Sequence, residues 1–429
     1  MTVPPVTVPS VRVRGAGVSA VVVLMAFAVL AACSPSVTTE KSSAGATILH
    51  WYAGPDRVDT KALAKACSQA SGGDYELKVE QLPADADERH NLLVRRLSAK
   101  DPSIDLIGLD DSFTAEFASA QLLAPIPDNL VPEYSKDIFP KARAAATFDG
   151  ALVAAPWWFD PQLLWYRGTV GERAGLDMTT AVTWENLISG AEHVGVGVEI
   201  DDANGRGVPD WVSALVSAGG GRIVDGAERS STVGLDTLAG AEAAGVVQFY
   251  HESAIGLGPS ADALTKFAGA GGGFLLAPSS VVSDPALAAV SAELQWGPYP
   301  VIDASSASIA PLAGVALAVP LYAPHSDLSF QAISCLTAQS SMQALMSSAG
   351  HSSSRMTTYD LSAVAGSYPM AALTRPAVAT GAAVPQTPYW QLVRAGLLDT
   401  WLPLASVETS TTPATSQKSV TARLAGELP

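Results

Sequence analysis

Residues 47–56, with the sequence TILHWYAGPD, indicate the fold class of this chain. The first six residues are apolar and β-prone, and the AGPD stretch ends the strand in a loop. Helical periodicity follows over 59–70. The order repeats further along, with predicted strands at 77–82 and 104–109 and a predicted helix at 88–97 between them. Strands that alternate with helices predict an α/β fold with a mostly parallel sheet.

In a parallel sheet of this kind, ligands bind beyond the carboxyl ends of the strands. The loops at 52–56 and 110–113 follow two of the predicted strands, so we expect both to face a ligand cleft. The candidate side chains in these loops are Tyr52, Asp56, Asp110 and Asp111. An alternative for Asp110 is that it only caps the helix that follows.

The length of the chain predicts two lobes with a cleft between them. The part that starts near Thr47 has about 380 residues, which exceeds the size at which a single hydrophobic core stops growing. The aromatic segment WWFDPQLLWYR at 157–167 is expected to carry the chain from one lobe into the other. We expect the first lobe to contain 47–156 and 315–385, and the second lobe to contain 157–314 and 386–429.

Trp157 and Trp158 are both candidates for the cleft. They are adjacent, and successive side chains of a strand point to opposite faces, so only one of them can face a ligand.

The first 32 residues have the pattern of a signal peptide. Arg12 and Arg14 precede an uncharged apolar run at 16–32, and the run ends in LAAC, which resembles the bacterial lipobox. We therefore expect cleavage before Cys33, a lipid on that cysteine, and anchoring to the outer face of a cell membrane. Residues 33–46 are expected to form a flexible tether. A permanent transmembrane helix is the alternative, but the run is shorter than the ~20 residues that span a bilayer.

Three cysteines occur in the sequence. With Cys33 lipidated, Cys67 and Cys335 remain in an oxidising compartment, where a remaining pair usually bridges. We predict a disulfide between them, and two unrelated buried thiols are the alternative.

Composition and motifs exclude several classes of function. The formal net charge is −16 and no basic run is present, so the electrostatic signature of a nucleic-acid-binding protein is missing. The sequence has no nucleophile elbow, zinc-protease motif or P-loop, and its six histidines lack metal-ligand spacing. We expect no enzymatic activity, no cofactor and no metal. Asp110 and Asp111 suggest glycosidase chemistry only weakly, because adjacent acids usually point in different directions.

Several sequence blocks, together with the LAAC motif, span nearly the whole mature chain. They are KACSQASGG at 65–73, LDDSFTAEFA at 109–118, QLLWYR at 162–167, LVSAGG at 215–220 and AISCL at 332–336. These blocks resemble the extracellular solute-binding proteins of ABC sugar importers, in the maltose and trehalose branch of family 1. The resemblance implies a two-lobed, type II periplasmic-binding-protein-like fold with a hinge, and it supports the predicted cysteine pair.

The resemblance also implies roles for individual residues. Asp110 stands where the family accepts hydrogen bonds from sugar hydroxyls, Arg355 stands where it has an arginine donor, and Asp160 stands where an asparagine is found. For Arg355 the alternative is a surface ion pair. The full set of expected ligand-binding residues is Tyr52, Asp56, Asp110, Asp111, Trp157, Trp158, Asp160, Gln162, Gly314 and Arg355.

The expected function is capture of a neutral saccharide, such as the disaccharide trehalose, and its delivery to the permease subunits of an ABC importer. We expect the chain to act as a monomer. One departure concerns residues 276–279, which have the sequence LAPS. The resemblance implies an NWPF stretch here, whose tryptophan lies in the site, so this chain lacks that stacking surface. Alternatives are binding of another polar solute such as a glycerophosphodiester, a lipid-anchored glycoside hydrolase, and a purely structural surface lipoprotein.

Overall fold

The computed structural model describes residues 40–202 and 205–427. The predicted signal peptide, the lipidation site at Cys33 and residues 33–39 of the predicted tether lie outside the described residues. Within the described ranges, no helix is both long enough and apolar enough to cross a membrane.

Helices and strands alternate along most of the chain. The strands are β1 Thr47–Ala53, β2 Tyr75–Gln81, β3 Leu106–Asp110, β4 Thr147–Phe148, β5 Ala151–Leu152, β6 Ala155–Arg167, β7 Gly197–Asp201, β8 Val224–Asp225, β9 Thr232–Val233, β10 Pro259–Ser260, β11 Gly272–Pro278, β12 Leu294–Gly297 and β13 Leu312–Ala318. The helices are α1 Thr60–Ala70, α2 Ala86–Ser98, α3 Thr114–Ser119, α4 Val131–Ser135, α5 Pro140–Ala145, α6 Val170–Arg173, α7 Trp184–Val194, α8 Gly207–Ala218, α9 Leu238–Glu252, α10 Ala263–Ala268, α11 Ser326–Leu336, α12 Gln339–Ala349, α13 Ser362–Ser367, α14 Ala371–Thr380, α15 Trp390–Trp401 and α16 Thr412–Ala425.

The long strand β6 belongs to both halves of the main sheet, whose order is β10-β7-β11-β6-β13-β3-β1-β2. Its first residues pair with β13, and its last residues pair with β11 and β12. We call β2, β1, β3, β13 and the start of β6, with the helices that cover them, the first lobe. The second lobe contains β10, β7, β11, β12 and the end of β6. The two-lobed α/β fold agrees with the expectation from the sequence.

The first-lobe sheet is mixed, since β1, β2 and β3 run parallel whereas β13 is antiparallel to β3 and β6, and it has hydrophobic cores on both faces. On one face, Leu49 and Trp51 of β1 pack with Ile333 of α11. On the other face, Ile107 of β3 packs with Leu93 of α2. Covering helices on both faces leave the carboxyl ends of the strands for the site.

The second lobe is organised around a tryptophan-rich core. Trp184 of α7 and Trp211 of α8 pack 5.5 Å apart, and the same cluster contains Trp390 and Trp401 of α15. The C-terminal helices therefore belong to this lobe.

One expected boundary differs from the observed packing. Tyr359, Tyr368 and Val378 share a hydrophobic cluster with Trp165 of β6 and Phe267 of α10. Residues 356–385 were expected in the first lobe, but their apolar side chains cover the face of the second-lobe strands.

Ordered structure begins before Thr47. The backbone N–H of Ile48 donates to the carbonyl oxygen of Glu40 at 3.0 Å, and Ala46 is buried. Residues 40–46, expected to belong to the tether, therefore form a turn held against β1.

The predicted disulfide between Cys67 and Cys335 is confirmed. It joins α1 to α11 with a Cα–Cα distance of 5.8 Å, and it links residues 268 positions apart in sequence. Both helices cover the same face of the first-lobe sheet, which brings the two cysteines together.

Candidate functional site

A cavity of about 300 Å³ lies where the two lobes meet. It is formed at the carboxyl ends of β1, β3, β7 and β11, together with β13 and the loop before Arg355. Its lining is Pro55, Asp56, Arg57, Ala84, Arg89, Asp110, Trp158, Asp160, Asp201, Arg206, Pro278, Ser280, Asp284, Ala313, Gly314 and His351. The position agrees with the rule that ligands bind beyond the carboxyl ends of strands in open α/β sheets.

Half of the ten residues expected from the sequence line this cavity. They are Asp56, Asp110, Trp158, Asp160 and Gly314. They come from four separate segments of the chain, and the sheet brings them together because β1 pairs with β3, and β3 and β6 both pair with β13.

Trp157 and Tyr52 do not line the cavity. Trp157 points into the first-lobe core, where its ring packs 5.6 Å from that of Trp51 and its Nε1 donates to the carbonyl oxygen of Leu336. Trp158, on the opposite face of the strand, is the one that lines the cavity. The hydroxyl of Tyr52 accepts a hydrogen bond from Arg96 at 2.8 Å.

Arg355 and Gln162 also lie outside the cavity lining. Arg355 donates to the carbonyl oxygens of Lys136 at 2.6 Å and Thr337 at 3.5 Å, so it stabilises the backbone of the first lobe. This is neither a ligand contact nor a surface ion pair. Gln162 is buried in β6 opposite Pro278.

Three arginines that the sequence analysis missed line the cavity, and each is matched by a carboxylate. Arg57 donates to Asp284 at 2.7 Å, and Arg89 donates through two nitrogens to Asp110 at 2.8 and 2.9 Å. The carboxylate of Asp110 therefore does not cap α3. Arg57 directly follows the expected loop at 52–56, whereas Arg89 and Arg206 lie outside the expected segments, where one sequence offers no signal that distinguishes them from surface residues.

The third arginine, Arg206, bonds to two buried carboxylates. It donates to Asp111 at 2.6 Å and to Asp210 at 3.0 Å. Asp111 follows β3 in the first lobe, whereas Arg206 and Asp210 belong to the second. Burial raises the pKa of Asp111 and raises that of Asp210 to about 6, while the arginine opposes both shifts. Asp111 thus joins the lobes behind the cavity instead of lining it.

His351 is the other missed residue. Its Nδ1 lies 2.7 Å from Asp160, and its ring stacks on that of Trp158 with centroids 4.3 Å apart. It belongs to the same GHSSSR stretch as Arg355, and of these two residues His351 is the one that lines the cavity.

Asp56 has an unusual electrostatic environment. None of the described residues donates a hydrogen bond to its carboxylate. Burial raises its pKa to about 6, and the negative charges of Asp110 and Asp160 add to the rise. His351 and the positive charge of Arg89 oppose the rise. The carboxylate is therefore a hydrogen-bond acceptor left for a ligand.

Gly314 allows the close approach of β13 to β6. A Cβ at this position would lie 2.1 Å from the ring of Phe159 and 2.8 Å from the carbonyl oxygen of Trp158. The glycine therefore keeps Trp158 and Asp160 in register at the cavity.

A larger cavity of about 740 Å³ lies beside α4, α5 and the β4–β5 hairpin. It is lined mainly by apolar residues of the first lobe, including Ile126, Val131, Ile138, Leu152 and Val153. It lacks the convergent charged and aromatic side chains of the cavity between the lobes, so we place the candidate site at the smaller cavity.

Known protein structures share this fold over most of the chain. Maltose-bound MalE3 of T. maritima has a TM-score of 0.75 at 19% identity, covering 89% of this chain and 100% of the other. The GacH receptor of Streptomyces glaucescens, solved unliganded and with acarbose, has a TM-score of 0.73 at 18% identity over 89% and 99% of the two chains. UgpB of Mycobacterium tuberculosis with glycerophosphocholine has a TM-score of 0.74 at 16% identity over 89% and 100%.

A curated relative is similar over a shorter stretch. A probable ABC transporter-binding protein of Deinococcus radiodurans is 26% identical over 163 residues, which cover 35% of this chain and 37% of that protein. The family model of the bacterial extracellular solute-binding proteins matches residues 56–343, which is more than half of the chain. A match of this extent, in a molecule folded like known binding proteins, identifies the chain as a member of the bacterial extracellular solute-binding protein family, and so as a binding protein rather than an enzyme.

Proposed function

We propose that this protein captures a neutral saccharide in the cavity between its lobes and delivers it to the permease of an ABC importer. The observation that carries this proposal is the charge pairing at the cavity. Arg57, Arg89 and Arg206 are each matched by a carboxylate, whereas the carboxylate of Asp56 has no hydrogen-bond donor among the described residues. A site of this kind has acceptors for hydroxyl groups but no unmatched guanidinium for an anion.

The size and lining of the cavity support a small saccharide. A volume of about 300 Å³ is at the lower end of the range for small-molecule sites, which is roughly 300 to 1,000 Å³. Carboxylates accept hydrogen bonds from vicinal hydroxyls, and the ring of Trp158 offers an apolar surface for a pyranose. A disaccharide such as trehalose is the ligand we propose, with the lobes closing around it by a hinge.

The remaining parts of the proposal concern location and partners. We propose that the chain is lipidated at Cys33 after removal of residues 1–32, remains on the outer face of the cell membrane, and works as a monomer. A glycerophosphodiester is a weaker candidate, since its phosphate would need a cation that the matched arginines do not supply.

The test is a thermal-unfolding screen of the purified protein with trehalose, maltose, other disaccharides and glycerophosphocholine. A saccharide that binds the native state raises Tm in proportion to the logarithm of its concentration. The proposal expects this increase with at least one disaccharide, and no product when the mixture is analysed by chromatography. No increase with any saccharide, or an increase with glycerophosphocholine alone, would reject it.

A further inference from the structure

His351 lines the cavity between the lobes, and one of its ring nitrogens is buried without a hydrogen-bond partner among the described residues. Only 3% of its side chain is exposed, and its ring is held against Trp158 at an interplanar angle of 29°. Its Nδ1 contacts Asp160, whereas its Nε2 has no hydrogen-bond partner among the described residues. A buried polar atom without a partner costs free energy, so a residue held this way is suited to a ligand contact.

The hydrogen bonds of Asp160 determine which nitrogen of His351 carries the proton. One carboxylate oxygen accepts the backbone N–H of Ser352 at 2.7 Å, and the other lies 2.7 Å from Nδ1 of His351. An ionised carboxylate can only accept hydrogen bonds, so Nδ1 must be the donor. In the neutral imidazole, Nε2 is then a bare acceptor.

We infer that His351 determines specificity by accepting a hydrogen bond at Nε2 from a hydroxyl of the bound saccharide. Asp160 makes Nε2 the acceptor by holding the ring proton on Nδ1. The choice of a saccharide hydroxyl rests on the proposed function. The proton on Nδ1 does not, because it follows from the contacts of Asp160.

The substitution Asp160→Asn exchanges the donor and acceptor nitrogens of His351 without changing the size of the side chain at position 160. The backbone N–H of Ser352 still needs an acceptor, so the carbonyl oxygen of the new amide faces it and the amide NH2 faces His351. Nδ1 must then accept a hydrogen bond, which moves the ring proton to Nε2. A donor replaces the acceptor that faces the ligand.

Asp105 provides a matched control outside the cavity lining. One of its oxygens accepts the backbone N–H of His50 at 2.8 Å, and the other contacts Nδ1 of His325 at 2.9 Å. Asp105→Asn therefore makes the same change at a buried histidine–aspartate pair in the first lobe, with the cavity unaltered.

The experiment combines nitrogen-15 NMR of the histidine rings with calorimetric titration of trehalose and maltose, in the wild-type protein and both variants. The His351 signals are assigned by their loss in His351→Gln. We expect protonated Nδ1 and bare Nε2 in the wild type, the reverse in Asp160→Asn, and a shift of the Nε2 signal on adding saccharide. Because the ligand hydroxyl then meets a donor, we expect affinity to fall about tenfold or more in Asp160→Asn and by less than about twofold in Asp105→Asn.

Three results would overturn the inference: protonation of both ring nitrogens or of Nε2 alone in the wild type, an unchanged proton position in Asp160→Asn, or equal loss of affinity in both variants. Failure of the wild-type protein to bind any saccharide would instead reject the proposed function. The NMR signals without ligand would still decide the role of Asp160.

Discussion

Arg206 of the second lobe donates a hydrogen bond to Asp111 of the first lobe at 2.6 Å, and this buried contact joins the two lobes behind the cavity. The same guanidinium bonds to Asp210 at 3.0 Å. One arginine therefore bonds to two carboxylates that are shielded from water. An arrangement of this kind is stable only while all three charges are present.

We predict that Arg206→Met strongly destabilises the protein. It leaves the carboxylates of Asp111 and Asp210 buried without their cation, which should lower the free energy of unfolding by about 3 to 5 kcal/mol at pH 7. Urea unfolding followed by tryptophan fluorescence measures this difference. Arg222→Met is the control, because Arg222 forms an exposed ion pair with Asp225, and the expected change is below about 0.5 kcal/mol. Equal effects of the two substitutions would contradict this role of Arg206.

A second contact between the lobes lies away from the cavity. Arg394 of α15 donates to both oxygens of Asp87 in α2, at 3.0 and 3.2 Å. Because this contact holds the lobes together, we predict that Asp87→Asn accelerates saccharide dissociation by up to about fivefold at low salt. Stopped-flow fluorescence measures the dissociation rate. Added salt should reduce the difference, since it screens the exposed pair.

Glu88→Gln is the matched control for Asp87→Asn. Glu88 is also an acidic residue in the first turn of α2, so its loss has the same effect on the helix dipole. No ion pair of Glu88 occurs among the described residues. If both substitutions change the dissociation rate equally, the contact with Arg394 does not stabilise the closed state.

Saccharide binding should depend on pH through Asp56. Burial raises the pKa of its carboxyl to about 6, from 3.8 for an exposed group. A ligand hydroxyl that donates to the carboxylate favours the ionised form, so binding lowers this pKa and affinity falls as the pH drops through 6. Calorimetric titration should show about tenfold weaker binding at pH 5 than at pH 7. In Asp56→Asn, we expect weaker saccharide binding at pH 7 and little change in affinity between pH 5 and 7. If the variant keeps the pH dependence of the wild type, Asp56 is not the group responsible.

The disulfide between Cys67 and Cys335 should contribute to stability but not to binding. It joins two helices of the first lobe across 268 positions of sequence, and neither cysteine lines the cavity. Replacing both cysteines with alanine should lower the free energy of unfolding by about 2 to 5 kcal/mol. The saccharide Kd should stay within about twofold of the wild-type value. A much larger change in Kd would show that the first lobe needs the crosslink to hold the site.

The first lobe could be predicted from the sequence because its elements have strong local patterns. The strand at β1 alternates in burial, and Asp59 and Asp85 cap the helices that follow their loops. The second lobe was less predictable. Its strands β7 and β11 were not predicted, and β11 begins with two glycines that carry no alternating pattern.

Part of the candidate site could be predicted from the rule that ligands bind at the carboxyl ends of strands. Asp56 and Asp110 satisfy that rule, and both line the cavity. Arg206 and His351 reach it from segments whose position depends on how the lobes meet. Ion pairs between residues 95 or more positions apart, such as Arg206 with Asp111, leave no local pattern in one sequence.

We expect the cavity between the lobes to bind an uncharged saccharide. The test is isothermal titration of trehalose and maltose into the wild-type protein and into Trp158→Ala. The control is Asp149→Asn, at an exposed position outside the cavity lining. The account predicts one saccharide site per chain in the wild type and the control, and binding at least about tenfold weaker in Trp158→Ala. Saccharide binding of equal strength in all three proteins would contradict it.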